Sequence, residues 1–332
     1  MTGLLTRRSR DTPLRPRRLV ALVARLRPTG RQPLAIAAAI CTFACLQATT
    51  ARAWDAREPG AAPPSLRGMA GAGIAAALGT GALFTNPAAL SAQPGQNIEL
   101  GLARDQRPGR TGFWVGSVDG NRGGIAGGTI YSFETGVRAD GRSRSGSDWR
   151  SGIALGVHGD SASFVLGGCM RRLGLDLGAG GGEAKRSISG WTGDLGLAAS
   201  LGDVVHLGAV WRDITSIDDS VAGRAETTSR VGGGLAISAG PVLLAADALW
   251  RLDDSVAQWH AGATVAIAGV VQVRAGWRLD PGSVARQLIA GGLGLRIEQY
   301  GVDVALELDP AQPSRFRFAL SLVVGIPYVL GG

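Results

Sequence analysis

The residues of this 332-residue chain that could do chemistry are few and scattered. Gly159-Asp160-Ser161 has the opening of a serine-nucleophile motif. A nucleophile needs a base and an orienting acid, and nothing places a His and an Asp around Ser161, so a turn between strands is the better reading. His158, His206 and His260 fall on separate segments, whereas a metal or catalytic cluster would need them to converge. Cys41, Cys45 and Cys169 are too few for a disulfide framework or a four-cysteine zinc site. Gly71-Ala72-Gly73 lacks the preceding strand and third glycine of a dinucleotide loop. Arg171-Arg172 is a lone basic pair, far short of a nucleic-acid face. The expectation is a protein without enzymatic activity, metal, cofactor or nucleic-acid partner. What remains is a set of single charges, Asp194, Arg212, Arg230, Asp247, Arg274, Asp303 and Glu307, each within a segment of alternating polarity.

That alternation identifies the elements carrying them. In 300–308 the residues Tyr300, Val302, Val304, Leu306 and Leu308 are apolar, while Gly301, Asp303, Ala305 and Glu307 between them are small or acidic. This is a strand with one apolar and one polar face. The same pattern recurs at 271–279 and 315–324. Further strands are expected at 97–104, 111–119, 122–133, 149–158, 162–171, 188–202, 204–213, 229–238, 241–251, 256–267 and 286–297, about fourteen in all. Turn signals such as Gly180-Gly181-Gly182 and Asp280-Pro281-Gly282 separate them.

The composition of the two faces decides between a soluble sandwich and a membrane barrel. A soluble protein presents long charged side chains to water and fills its core with bulky ones. Here the non-apolar face is crowded with Gly, Ala and Ser, as at Gly208, Gly232, Gly234, Gly291, Gly292 and Gly294, with charges placed singly. Small polar side chains suit an enclosed lumen, with the apolar face turned to lipid. Trp191, Trp211, Trp250, Trp259 and Trp277 lie on or near strand ends, where interfacial indoles belong. The fold class expected is therefore all-β, a transmembrane antiparallel β-barrel, with the seven single charges facing its interior.

The net charge of +8 belongs to another part of the chain. Residues 1–53 hold ten arginines and one acid, so 54–332 carries 24 basic and 25 acidic residues and is nearly neutral. Residues 34–51 form an uncharged, alanine-rich run that ends at Ala51-Arg52-Ala53. A basic region, an apolar run and a small-x-small site make a secretory signal peptide, with cleavage expected before Trp54.

Residues 68–90, GMAGAGIAAALGTGALFTNPAAL, followed directly by amphipathic strands, resemble the opening of the long-chain fatty-acid transporter (FadL-type) family and its relatives, the barrels of the Por secretion system. The resemblance extends over nearly all of 66–325, through 260–280, GGLGLRI at 291–297 and YGVDVAL at 300–306, although only Asn86-Pro87-Ala88 is a distinctive short motif. It implies a fourteen-stranded barrel at 97–328, an N-terminal segment at 54–96 folded inside as a plug, and inward movement of hydrophobic molecules. Gly68, Gly71 and Gly73 would let the plug approach a small-residue wall, and Asn86, Pro87 and Ala88 would turn it, since Pro87 keeps Asn86 out of the helical region. The seven lumen charges would then hold the plug by paired hydrogen bonds.

Two functions are compatible with these expectations. One is a passive outer-membrane channel for long-chain fatty acids or other hydrophobic small molecules. The other is a barrel acting as an assembly or protein-secretion partner, or as a structural membrane protein. The expected surroundings are outer-membrane lipids, a hydrophobic small-molecule ligand and the barrel-assembly machinery. Short polar loops, expected at Arg138–Asp148 and Asp218–Glu226, count against a transporter with apolar external loops.

Overall fold

The computed structural model describes residues 62–326 apart from 78, 93–94, 107–108, 121–123, 138–142, 180–183, 216, 220–223, 226, 254–256 and 282–285. The signal peptide expected over 1–53, the cleavage before Trp54, the start of the plug segment at 54–61 and the end of the barrel at 327–328 lie outside the described residues.

The strands are β1 (Gly95–Asp105), β2 (Arg110–Gly120), β3 (Ile125–Val137), β4 (Ser143–His158), β5 (Ala162–Leu177), β6 (Arg186–Leu201), β7 (Val205–Arg212), β8 (Asp218–Asp219), β9 (Arg224–Ala225), β10 (Arg230–Ala239), β11 (Val242–Arg251), β12 (Ala257–Ile267), β13 (Val271–Asp280), β14 (Arg286–Ile297), β15 (Tyr300–Leu308) and β16 (Phe316–Ile326). Fourteen of them form a closed antiparallel barrel, each paired with its chain neighbours, and β1 against β16 completes the ring. The short strands β8 and β9 pair only with each other. Closure pairs the first strand with the last, as a bilayer requires because hydrocarbon satisfies no backbone group, although β6 is laddered to β7 only over Leu195–Leu201. Over the residues paired in each ladder the register is continuous; β1 and β16, for example, match residue for residue from Gln96–Ile326 to Asp105–Arg317.

The two-residue period explains which way each side chain faces. On β15, Tyr300, Val302, Leu306 and Leu308 are exposed on the outside, while Asp303, Ala305 and Glu307 are buried. The same inversion, apolar residues out and polar residues in, holds around the barrel, where Leu100, Phe113, Leu166, Leu197, Leu293 and Leu322 are exposed. Such an exterior is stable in lipid and would aggregate in water. Trp191, Trp211, Trp250 and Trp259 stand on this exterior, with edge-on contacts between Trp149 and Trp191 (5.8 Å) and between Trp250 and Trp259 (6.1 Å). Trp277 is only half-buried, and Trp114 is buried inside the lumen over Gly101.

Two expectations need correction. The stretch 138–148 is only partly a loop, because Ser143–Asp148 belongs to β4 and pairs with Phe133–Val137 of β3 and with Ser132. Its serines and glycine carry no apolar alternation, so the hydrogen-bonded partner extends the strand where side-chain pattern gives no signal. Gly291 faces outward rather than with Gly292 and Gly294, since its neighbours Ala290 and Gly292 occupy the inner face. The connections are short at one end of the barrel, such as 159–161, 240–241 and 298–299, and longer at the other, such as 213–229 and 309–315.

Candidate functional site

The segment between residue 62 and β1 lies inside the barrel. It comprises α1 (Pro64–Arg67), a 3-10 turn at Gly79–Gly81, α2 (Ala82–Thr85) and a second 3-10 stretch at Pro87–Ala92. Pro64 occupies the first turn of α1, where its missing N–H costs nothing. Beyond α1 the chain reverses at Gly71, whose φ of +87° places it in the left-handed region open to glycine. The imidazole Nδ1 of His260 donates to the Ala70 carbonyl at 3.0 Å beside this reversal.

Segment 62–92 is fixed to the wall by a small number of polar contacts. Asp247 Oδ2 on β11 accepts the backbone N–H groups of Gly73 (2.6 Å) and Ile74 (2.9 Å). Arg67 Nη1 donates to Glu307 on β15 at 2.7 Å. Thr80 donates to Glu99 on β1, and Arg150 Nη1 on β4 donates to the Leu83 carbonyl at 3.1 Å while its guanidinium lies 4.4 Å from the centre of the Phe84 ring.

Asn86 joins three parts of this arrangement. Its Nδ2 donates to the Ile74 carbonyl at 2.8 Å and to the Leu197 carbonyl of β6 at 2.9 Å, and its Oδ1 accepts the Ala88 N–H at 3.1 Å. The side chain is wholly buried, and the extended backbone (φ −150°, ψ 109°) is the one that a following proline imposes. The wall makes room with glycine: a Cβ on Gly196 would stand 1.9 Å from Asn86 Oδ1, and one on Gly167 would stand 2.3 Å from the Ala88 nitrogen. Gly68 likewise meets the wall at Gly292.

Buried charges concentrate toward the long-loop end. One chain of ion pairs runs from Arg144 to Glu134 (3.3 Å), Arg110 (3.6 Å), Asp105 (3.0 Å), Arg317 (3.1 Å), Glu307 (3.8 Å) and Arg67 (2.7 Å), crossing β4, β3, β2, β1, β16 and β15 to reach α1. A second joins Arg150 to Asp148 (3.0 Å), Arg171 (2.9 Å) and Asp213 (2.8 Å). Toward the short-turn end Asp303 receives Arg274 at 2.7 Å together with Arg296. Burial by itself would push the Asp213 carboxyl up, but Arg171, then Arg212 and Arg230, hold it below its ordinary 3.8.

The seven charges singled out from sequence all line the interior, but they do not pair among themselves as a set. Among the described contacts, Arg274 and Asp303 are the pair that meets. Asp247 and Glu307 bind segment 62–92, and Asp194 accepts the Asp213 N–H at 2.8 Å. Arg212 and Arg230 stand opposite each other on β7 and β10. Sequence reasoning missed Glu99, Asp105, Asp148, Arg150, Arg171 and Arg317. The signal existed for Arg171: alternation along β5 sends it inward to Asp148 and sends Arg172 outward, 5.7 Å from the Trp191 ring. Asp148 was hidden in the stretch read as loop. The histidines stay apart, with His206 held between Ser200 (3.1 Å) and Ser238 (3.2 Å).

Two cavities flank the inner segment. One, of about 230 Å³ toward the short-turn end, is lined by Met69, Ala72, Ala76 and Leu243 with Glu99 and Arg274. The other, of about 110 Å³ toward the long-loop end, is lined by Phe84, Leu249, Arg171, Arg212, Arg230 and His260. Leu66 of α1 borders both.

No protein-family model and no curated protein matches the chain. Solved structures share its fold. The P. putida toluene transporter TodX superposes with a TM-score of 0.63 at 14% identity, over 82% of this chain and 100% of that one. The CymD monoaromatic hydrocarbon channel gives 0.61 at 14% identity, over 80% and 97%, and a Pseudomonas aeruginosa FadL homologue 0.60 at 11%, over 80% and 98%. The chain has the closed fourteen-stranded fold of these FadL-type barrels.

Proposed function

We propose that this protein is an outer-membrane channel for passive uptake of hydrophobic small molecules, with 54–96 as its plug and 97–328 as its barrel. Residues 1–53 direct export and are removed before Trp54. The observation that carries the reading is the position of Leu66, on a plug helix held at its end by Arg67 and Glu307, with a partly apolar cavity on either side. A solute entering from the long-loop end meets Phe84 and Leu249 first, and passes to Met69 and Leu243 only by displacing Leu66 or the segment that bears it. The lining suits an oily solute guided by a few polar groups. The hydrocarbon and toluene channels that share the fold support this reading of the substrate class.

In this proposal Gly68, Gly71 and Gly73 let the plug sit against the wall, and Asn86, Pro87 and Ala88 fix its second half. The test is uptake of labelled toluene and labelled long-chain fatty acid by a strain deleted for the protein. Reduced uptake, restored by the full gene, is expected. Unchanged uptake of both overturns the channel and favours a role in assembly or secretion. Recovery in the outer-membrane fraction, with a gel shift on boiling, is expected of the folded barrel.

A further inference from the structure

Arg212 and Arg230 are directly opposite on β7 and β10, both facing the interior. Like charges in that position repel, and among the described residues Arg110, Arg171 and Arg274 are each paired with an acid. Here Asp194 and Asp213 lie near enough to act on the pair but make no ion-pair contact with it. Among the described residues neither guanidinium has a carboxylate in ion-pair contact, and Nε of each is buried without a hydrogen-bond acceptor. The nearby acids are committed elsewhere, Asp213 to Arg171 at 2.8 Å and Asp194 to the Asp213 N–H at 2.8 Å. A buried donor without an acceptor is costly, so a folded chain keeps such a pair more readily where an anion completes it.

The surroundings specify the anion. Both arginines line the cavity of about 110 Å³, whose lining also carries Leu66, Phe84 and Leu249, with Asp213 and Glu307 as its acids. A guanidinium presents a planar fork that matches the two oxygens of a carboxylate, and two forks side by side can share one. The apolar residues of the lining accept a ring or a short chain, and the volume leaves no room for a long one. We propose that Arg212 and Arg230 form a binding site for a compact organic carboxylate, an aromatic or short-chain acid, on the long-loop side of the plug. The use of the site in uptake rests on the channel reading; binding itself does not.

The experiment is calorimetric titration of the purified full chain, folded in detergent at low ionic strength, with benzoate, toluene, inorganic phosphate and palmitate. Benzoate is expected to bind one per chain, at least about tenfold more tightly than the other three. Arg212→Gln with Arg230→Gln is expected to weaken benzoate by about tenfold or more, with folding verified by the gel shift on boiling. Benzoate binding no tighter than toluene overturns the site, phosphate binding as tight as benzoate overturns the carboxylate class, and palmitate binding as tight overturns the size limit. These comparisons use the unaltered protein and stand even if the double variant does not fold. Toluene uptake without benzoate binding removes this site and leaves the channel; benzoate binding without uptake of any solute does the reverse.

Discussion

Arg67 and Glu307 meet at 2.7 Å across 240 residues of sequence, joining the first helix of the plug to the penultimate strand of the barrel. Both side chains are almost fully buried, and Arg317 approaches the same carboxylate at 3.8 Å. Removing the acid leaves two guanidinium groups without their shared partner. Glu307→Gln is expected to lower stability by about 3 kcal/mol, within the cost of breaking a buried pair from one side. Urea titration of the folded barrel in lipid, followed by tryptophan fluorescence, measures this, and an unmoved midpoint refutes it.

Asp247 holds the plug through two backbone N–H groups, those of Gly73 and Ile74. Asp247→Ala deprives both of their acceptor, at a cost of about 1–3 kcal/mol for each buried group. The plug should loosen before the barrel does, because the ladders do not depend on this contact. Higher single-channel conductance in planar bilayers is expected for Asp247→Ala, with Asp247→Asn, which keeps an acceptor oxygen, falling between.

Gly196 faces Asn86, and a methyl group there would stand 1.9 Å from Oδ1. Gly196→Ala is expected to cost about 1–3 kcal/mol by overpacking. The cost should shrink in the Asn86→Ala background, where the clashing atom is gone, so a double-mutant cycle will show strong non-additivity. Additive effects would separate Gly196 from Asn86.

Asp213 is the acid whose protonation should be felt. Its carboxyl lies below the ordinary 3.8 in the folded protein, chiefly because Arg171, Arg212 and Arg230 outweigh its burial. A lowered folded pKa stabilises the native state above the unfolded value, and that contribution disappears as pH falls from about 3.8 through the folded value. Asp213→Asn should therefore lose stability at pH 7 and show a smaller further loss on acidification than the unaltered protein. Unfolding midpoints at pH 7 and pH 3 give the comparison, and parallel losses in both proteins would exclude Asp213 as a contributor.

Leu66 borders both cavities. Leu66→Ala is expected to raise toluene uptake several-fold and Leu66→Trp to reduce it. Equal uptake by all three proteins would place the path elsewhere.

Barrel architecture was legible in the chain because alternation is local. Each strand declares its two faces through a two-residue period, and an apolar face opposite a small, sparsely charged one is meaningful before any pairing is known. Asp303 and Glu307 could be placed inside by that reasoning, and so could Arg274. Partners could not be, since Arg67 and Glu307 are brought together only by closure of the ring and by the path of the plug through it. The same limit applies to the polar start of β4, where Ser143–Asp148 is a strand because β3 lies beside it.

Taken alone, the sequence determined that this chain forms amphipathic strands with lipid on one side and a small-residue lumen on the other, and that its net positive charge is confined to the first 53 residues. Tertiary structure decided which buried charges neutralise one another and which do not. Asp105 reaches Arg317 only through the contact of the first strand with the last, whereas Arg212 and Arg230 face each other because β7 pairs with β10 across the excursion that contains β8 and β9. Periodicity acts over two residues and is written in the chain; electrostatic pairing depends on register and closure, which the assembled barrel alone supplies.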